Sequence, residues 1–205
     1  MLVAEKILVR HLGTAEYQPT LAAMRDFTAR RDAHTPDELW LLEHPPVYTL
    51  GLAADTAHGP KAGGRIPVVQ VERGGEITYH GPGQVVLYTL VDLARRGIKV
   101  KQFVSMLEQA VIDLLGNRAE RKPGAPGIYV GGAKVAALGI RVSRGCAFHG
   151  LALNVDMDLT PFSAIDPCGY PGLQVTQTRD LGIEEGKDTL GRKLAAILIR
   201  KLEHA

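Results

Sequence analysis

The 205-residue chain holds only two cysteines, Cys146 and Cys168. Two are too few for the disulfide framework of a small secreted domain. Their spacing is not the Cys-x-x-Cys of a zinc site either, so both read as free thiols and no metal site is expected. There is no Asn-x-Ser/Thr acceptor, no low-complexity tract and no internal repeat, so nothing in the composition divides the chain. Long apolar runs are also missing. No stretch approaches the roughly 20 apolar residues that span a bilayer, and Met1–Ile7 lacks the apolar core of a signal peptide. Charge of one sign is scarce: Lys+Arg number 24 against Asp+Glu 22, a net +2, with no basic run longer than pairs such as Arg30-Arg31 and Arg95-Arg96. That is a poor footprint for nucleic acid, although a modest basic excess favours an acidic protein partner. These absences lead to the expectation of a soluble cytoplasmic protein with neither a membrane nor a nucleic-acid partner.

What is present suits one compact domain over residues 1–205. At 45% hydrophobic residues, a chain of this size buries roughly 70% of its unfolded surface around a single core. Phe103, Met106, Leu107, Ala110, Val111, Leu114 and Leu115 recur at helical spacing and predict a helix over Val100–Leu115, ended by Gly116. A second helix is expected from Asp188, as N-cap, to Leu202, with Leu190, Leu194, Ile197, Leu198 and Leu202 as its buried stripe. A third is expected between Pro19 and Arg31. Strand-like segments are Ile7–Val9, Glu38–Leu42, Val68–Val71, Gln84–Leu90, Gly127–Val130, Lys134–Val142 and Ala147–Val155. The last three follow one another with no room for crossover helices, which predicts antiparallel pairing and an α+β fold with a mixed or antiparallel sheet and flanking helices.

The densest chemistry lies in Arg73-Gly-Gly-Glu-Ile-Thr-Tyr-His-Gly-Pro-Gly-Gln84. Clustered glycines cost backbone entropy and supply no packing, so they suit a chain that approaches a ligand closely. A strand pair with tight glycine turns is the plainer alternative. Gly127-Ile-Tyr-Val-Gly-Gly-Ala-Lys134 resembles a phosphate-binding P-loop only up to Ala133, and Val135 stands where Ser or Thr is required. Nucleotide binding there is rejected.

Cys168 lies in Asp166-Pro-Cys-Gly-Tyr-Pro171, whose prolines and glycine exclude a helix or central strand and place the thiol on a shaped loop. Cys146 reads as a packing residue at or near a strand end. A nucleophilic thiol needs a nearby cation or base. His44, His80, His149 and Lys134 are the candidates. Lys134, set between Gly131-Gly-Ala133 and an apolar run, could accept the thiol proton when neutral or hold the thiolate when charged; a snorkelling edge-strand lysine is the alternative.

Four blocks together, Arg73-Gly-Gly-x-x-Thr-Tyr-His-Gly-Pro-Gly-Gln84, Gly132-Ala-Lys134, Gly145-Cys-x-Phe-His-Gly-Leu-Ala-Leu-Asn154 and Pro167-Cys-Gly169, resemble the signature blocks of the lipoyl(octanoyl) transferases. The resemblance runs from about Leu41 to Gln174. It implies a fold similar to the biotin and lipoate protein ligase catalytic domain. It also implies a ping-pong acyl transfer, the first step of protein lipoylation. Octanoyl-acyl carrier protein would be the donor. The acceptor would be a lysine on the lipoyl domains of 2-oxoacid dehydrogenases and the glycine cleavage H protein. Matched residue by residue, the nucleophile falls on Cys168 and the activating lysine on Lys134. Substrate binding falls on Arg73, Gly74, Gly75, Glu76, Ile77, Thr78, Tyr79 and His80, on Ala137, Leu138 and Gly139, and on Gly150, Leu151 and Ala152. No cofactor is implied, because the two thioesters are of similar energy and the final amide is more stable than either, so no ATP is needed. The small Ala-Leu-Gly and Gly-Leu-Ala segments suit an apolar acyl slot and would offer backbone N–H groups to the carbonyl oxygen. An ATP-dependent ligase, a cysteine thioesterase and an acyl-carrier-binding module are the competing classes.

Overall fold

The computed structural model describes residues 6–55, 59–60, 64–166 and 172–205. Strand β1 (Leu8–Thr14) crosses through helix α1 (Tyr17–Arg30) to a parallel neighbour, β2 (Glu38–Glu43). Three short strands, β3 (Val47–Leu50), β4 (Val68–Gln70) and β5 (Ile77–His80), form a small sheet in the order β4-β3-β5. The chain continues through β6 (Gln84–Asp92), α2 (Leu93–Arg96), α3 (Val100–Leu115), β7 (Ala119–Lys122), β8 (Ala125–Val130), β9 (Ala133–Ser143), β10 (Cys146–Asn154) and α4 (Lys187–Glu203). The large sheet has the order β1-β2-β6-β10-β9-β8-β7 and is antiparallel except for its first pair. This is the expected mixed α+β arrangement.

Alternation along the central strands sets the layers. Val85, Leu87 and Val91 of β6 join Leu39 and Leu41 of β2 in a core covered by α3 and α4. Val86, Tyr88 and Leu90 face the other way, with Trp40 and Leu42, onto Tyr17, Leu21 and Met24 of α1. With both faces covered, β2 and β6 read as nearly continuous apolar runs. The stripe predicted for α3 is the buried one, and Gly116 caps its end through an N–H to Ile112 O bond of 2.8 Å. One boundary differs. Gly186, not Asp188, is the N-cap of α4, and Asp188 sits inside the first turn, where its charge still opposes the helix dipole favourably. The Gly131-Gly132 pair is the two-residue turn of the β8–β9 hairpin, with φ of 57° and 81°. Both values favour glycine in such a turn, which accounts for the partial likeness to a P-loop. The Arg73–Gln84 segment is part loop and part strand: its glycines flank β5, which the sequence offered only as one of two readings.

One buried carboxylate ties four elements together. Asp37, fully buried, accepts from Arg31 (2.5 Å), Arg95 (3.0 Å), Arg96 (2.6 Å) and the Asp92 amide (2.9 Å), and Arg96 also donates to Leu202 O at the end of α4. Burial pushes its pKa up, but the Asp92 amide and the Arg96 and Arg31 guanidiniums outweigh that and hold it below the ordinary value. Its stabilisation is therefore present above the unfolded carboxylate pKa near 4 and is lost as pH falls through the lower folded value. Asp37→Asn should cost about 3–5 kcal/mol, because it strands buried guanidiniums without their anion. Thermal or urea unfolding at neutral pH measures the loss.

Candidate active site

The site begins where side chains are missing. On β9 and β10, Ala137 pairs with Ala152 and Gly139 with Gly150, so four small residues form a patch on one face of the sheet. A Cβ on Gly139 would lie 2.7 Å from Gly74 O and 3.1 Å from Arg73 Cδ. The chain from Arg73 onward can thus lie against the sheet, fastened by Gly74 N–H to Ile140 O at 2.9 Å. Between the two is a cavity of about 260 Å³. Its walls include Arg73, Gly75, Glu76, Ile77, Thr78 and His80 on one side and Ala137, Leu138, Gly139, Gly150, Leu151 and Ala152 on the other. Of the substrate-binding residues expected from the sequence, Gly74 and Tyr79 stand outside this lining. Gly74 acts through its backbone, and Tyr79 turns to rings of Tyr48 and Phe162 at 5.5 and 5.4 Å.

Arg73 is a wall and a brace. Its guanidinium donates to Thr49 O and Oγ1 (2.8 and 2.7 Å) and to the carbonyls of Gly74 and Glu76 (3.0 and 2.9 Å). The expectation that Gly150–Ala152 offer N–H groups to a substrate oxygen is not met. β10 is paired on both sides there, to β6 and to β9, so its amides belong to the ladders.

Lys134 lines the same cavity and is only 5% exposed. β9 is interior to the sheet, so this is not a snorkelling edge-strand lysine. Its Nζ stands 5.5 Å from the Tyr129 ring centroid. Gly127, at φ +137°, clears its path: a Cβ there would lie 2.5 Å from Lys134 Cε. The Lys134 backbone holds a neighbouring segment, donating to Gln174 O (2.8 Å) and accepting from Thr176 N (2.9 Å). A buried amide relay braces that segment. Asn154 donates to Thr176 O (3.0 Å), Gln84 Nε2 donates to Asn154 Oδ1 (3.0 Å), and Gln84 Oε1 accepts from His80 Nδ1 (2.8 Å). Because Gln84 spends its NH2 on oxygens, His80 carries its proton on Nδ1. Cys168 lies outside the described residues, between Asp166 and the segment held by Lys134. Cys146 opens β10 beside Asp92, at the opposite end of the sheet from Lys134. Burial first, then the Asp92 charge, push its thiol pKa up, which fits the packing reading.

The sequence did not point to Tyr17, Tyr88 or Phe162, which also line the cavity. Tyr17 belongs to no motif, and Tyr88 looks like any core residue of β6. Together they orient His44: its Nδ1 donates to Ala15 O (2.5 Å), its Nε2 accepts from Tyr88 OH (2.7 Å), and Tyr17 hydrogen-bonds Tyr88 in turn. Burial pushes the Tyr17 pKa up to about 12. Three imidazoles are held neutral by burial, His44 at about 4 and His80 and His149 at about 3, His80 depressed further by neighbouring His44 and Arg73 and His149 by Arg73. Among the described residues no cluster of His, Cys, Asp or Glu is placed to hold a metal ion, and no helix is long and apolar enough to cross a membrane.

The profile of the lipoyl protein ligase A/B catalytic domain matches residues 16–195. An octanoyltransferase of Dechloromonas aromatica (strain RCB) is 56% identical over 199 residues, covering 96% of this chain and 97% of that one. Among solved structures, a bipartite lipoate protein ligase from Thermoplasma acidophilum, described with its E2 lipoyl domain, matches at TM-score 0.69 and 16% identity, over 97% of this chain and 85% of that one. Biotin protein ligase from Aquifex aeolicus matches at TM-score 0.53 and 11% identity, over 98% of this chain and 70% of that one. The two ligases establish likeness of fold.

The neutral histidines predict a pH response. Each has a folded pKa below its unfolded value of about 6.5, so between the two the unfolded chain binds more protons and stability falls as pH falls. At pH 5 each should forfeit roughly 2 kcal/mol relative to pH 8. Urea unfolding across that range checks this, and NMR titration should find all three rings still neutral at pH 5.5.

Proposed function

The chain belongs to the lipoyl protein ligase A/B catalytic domain family, and from that premise we propose that it is an octanoyltransferase acting through a thioester on Cys168. In the first step Lys134 takes the Cys168 thiol proton, and the thiolate attacks the thioester carbonyl of octanoyl-acyl carrier protein. The carrier sulfur leaves, regaining a proton. In the second step the ε-amine of a lipoyl-domain lysine attacks the Cys168 thioester. The carbon–sulfur bond breaks, an amide forms and the thiol returns. The acceptors are lipoyl domains of 2-oxoacid dehydrogenases and the glycine cleavage H protein. Residues 1–205 act as one catalytic unit in the cytoplasm, where a thiol stays reduced.

The observation that carries this reading is the buried Lys134 at one end of a slot with a small-residue floor, with the segment that follows Cys168 hydrogen-bonded to its backbone. A lysine removed from bulk water, with its backbone bonded to Gln174 and Thr176, is suited to move a proton within hydrogen-bond reach. The alanine and glycine floor leaves room for an acyl chain, and the wall from Arg73 to His80 closes over it.

The protein should be incubated with octanoyl-acyl carrier protein, without ATP, and its intact mass and peptide map measured. An octanoyl adduct on Cys168 is expected. It should be absent in Cys168→Ser, form at least about a hundredfold more slowly in Lys134→Ala, and pass to added lipoyl domain. Lipoyl-domain modification that requires ATP and leaves no adduct on Cys168 would sink the thioester reading. Gly127→Ala should slow loading by roughly ten- to a hundredfold, because its methyl displaces the Lys134 side chain. A rate equal to wild type would show that the lysine's placement is not limiting.

A further inference from the structure

One buried side chain of the slot has no task in this chemistry. His149 is 1% exposed and lines the cavity, yet neither ring nitrogen meets a hydrogen-bond partner among the described residues. Its backbone stands at φ 62°, a left-handed conformation that is costly for a residue with a Cβ. So held, the ring stacks on Phe148 with centroids 5.0 Å apart and meets Tyr88 edge-on at 6.1 Å. A polar ring, strained and without a hydrogen-bond partner among the described residues, where neighbouring floor positions are Gly or Ala, is placed for contact with a ligand.

Its distance from the reacting end fits one length of chain. The Lys134 Nζ reaches toward Gly127, the residue before Ile128, and Ile128 pairs with Ala136. The amine therefore lies level with Ala136 and Ala137. His149 is the partner of Ile140. From Ala137 to Ile140 a strand advances about 10 Å. The seven carbon–carbon bonds of an extended octanoyl chain reach roughly 9 Å.

We propose that His149 is the end wall of the acyl slot and limits the transferred chain to eight carbons. This rests on the acyl-transfer reading above. Arg73, lying over Gly139, backs the wall from the adjacent strand. Carbons beyond the eighth meet the buried ring and would have to displace it against Phe148 and Tyr88, which is a steric penalty. Burial and the nearby Arg73 charge keep the ring uncharged at working pH. Shorter chains leave the slot partly unfilled and forfeit contacts.

The test is a chain-length profile. Hexanoyl-, octanoyl-, decanoyl- and dodecanoyl-acyl carrier protein would be offered to wild type, His149→Gly and His149→Asn, reading Cys168 loading by intact mass and kcat/KM for each chain. Glycine and asparagine both accept the left-handed backbone, so both variants retain a route to the native fold. Whatever the absolute rates, the decanoyl-to-octanoyl ratio of kcat/KM should rise about tenfold or more in His149→Gly, and less in His149→Asn, which opens less space. An unchanged ratio in His149→Gly overturns the end wall, as does a wild type that loads all four chains equally well. A wild type that loads none removes the acyl-transfer reading and this inference with it. Independently of any variant, the structure of wild type with octanoate should put the terminal methyl against His149; a methyl elsewhere overturns the proposal.

Discussion

The site depends on one close approach of backbone to backbone. Where Gly74 rests on Gly139, there is no space for a Cβ, and the fastening bond from Gly74 N–H to Ile140 O exists only because of that nearness. The segment from Arg73 to His80 then spans the face of the sheet as a roof, and the small residues of β9 and β10 leave a hollow beneath it. A side chain at Gly139 would lift the roof. One at Gly150 would meet Leu87 O at 2.1 Å and part the two central strands. Glycine here makes a cavity by permitting contact at its rim.

Burial then decides the charge states inside. Burial takes His44, His80, His149, Tyr17 and Tyr88 out of water; neighbouring His44 and Arg73 further disfavour protonation of His80, and Arg73 that of His149. Arg73 is itself satisfied by carbonyls and Thr49, so it acts as a fixed positive strut. The result is a largely apolar lining in which His80 and His149 stay neutral near neutral pH. Such a lining can orient a bound chain and exclude water.

The sequence made the architecture legible where periodicity was strong and unambiguous. The stripe of α3 and the three consecutive strands from Gly127 to Asn154 needed only spacing and the absence of crossover length. It was less informative where tertiary contact does the work. Val47–Leu50 is short, and becomes a strand only because β4 and β5 flank it. Asp188 has a favoured capping side chain, but the entry of the chain puts Gly186 at the cap. Within the site, motif spacing brought Arg73, Lys134, Gly139 and Gly150 to one place, since each of those residue types is needed there. Tyr17 and Tyr88 carried no such signal: an aromatic on a core-facing stripe looks the same whether or not its hydroxyl reaches a histidine.

The relay from His80 to Lys134 explains why residues far apart in the chain must be read together. Gln84 has one amide oxygen and one NH2 group. Donating to Asn154 and to Tyr79 O commits the NH2, so the oxygen is left for His80. Asn154 is fixed by that choice, and its own NH2 reaches Thr176 O on the segment bonded to Lys134. Each member has one arrangement that satisfies all the others, and a buried network of that kind resists partial rearrangement because any single slip leaves a polar group without a partner. The segment carrying Gln174 and Thr176 is thus held by the same network that sets the His80 tautomer.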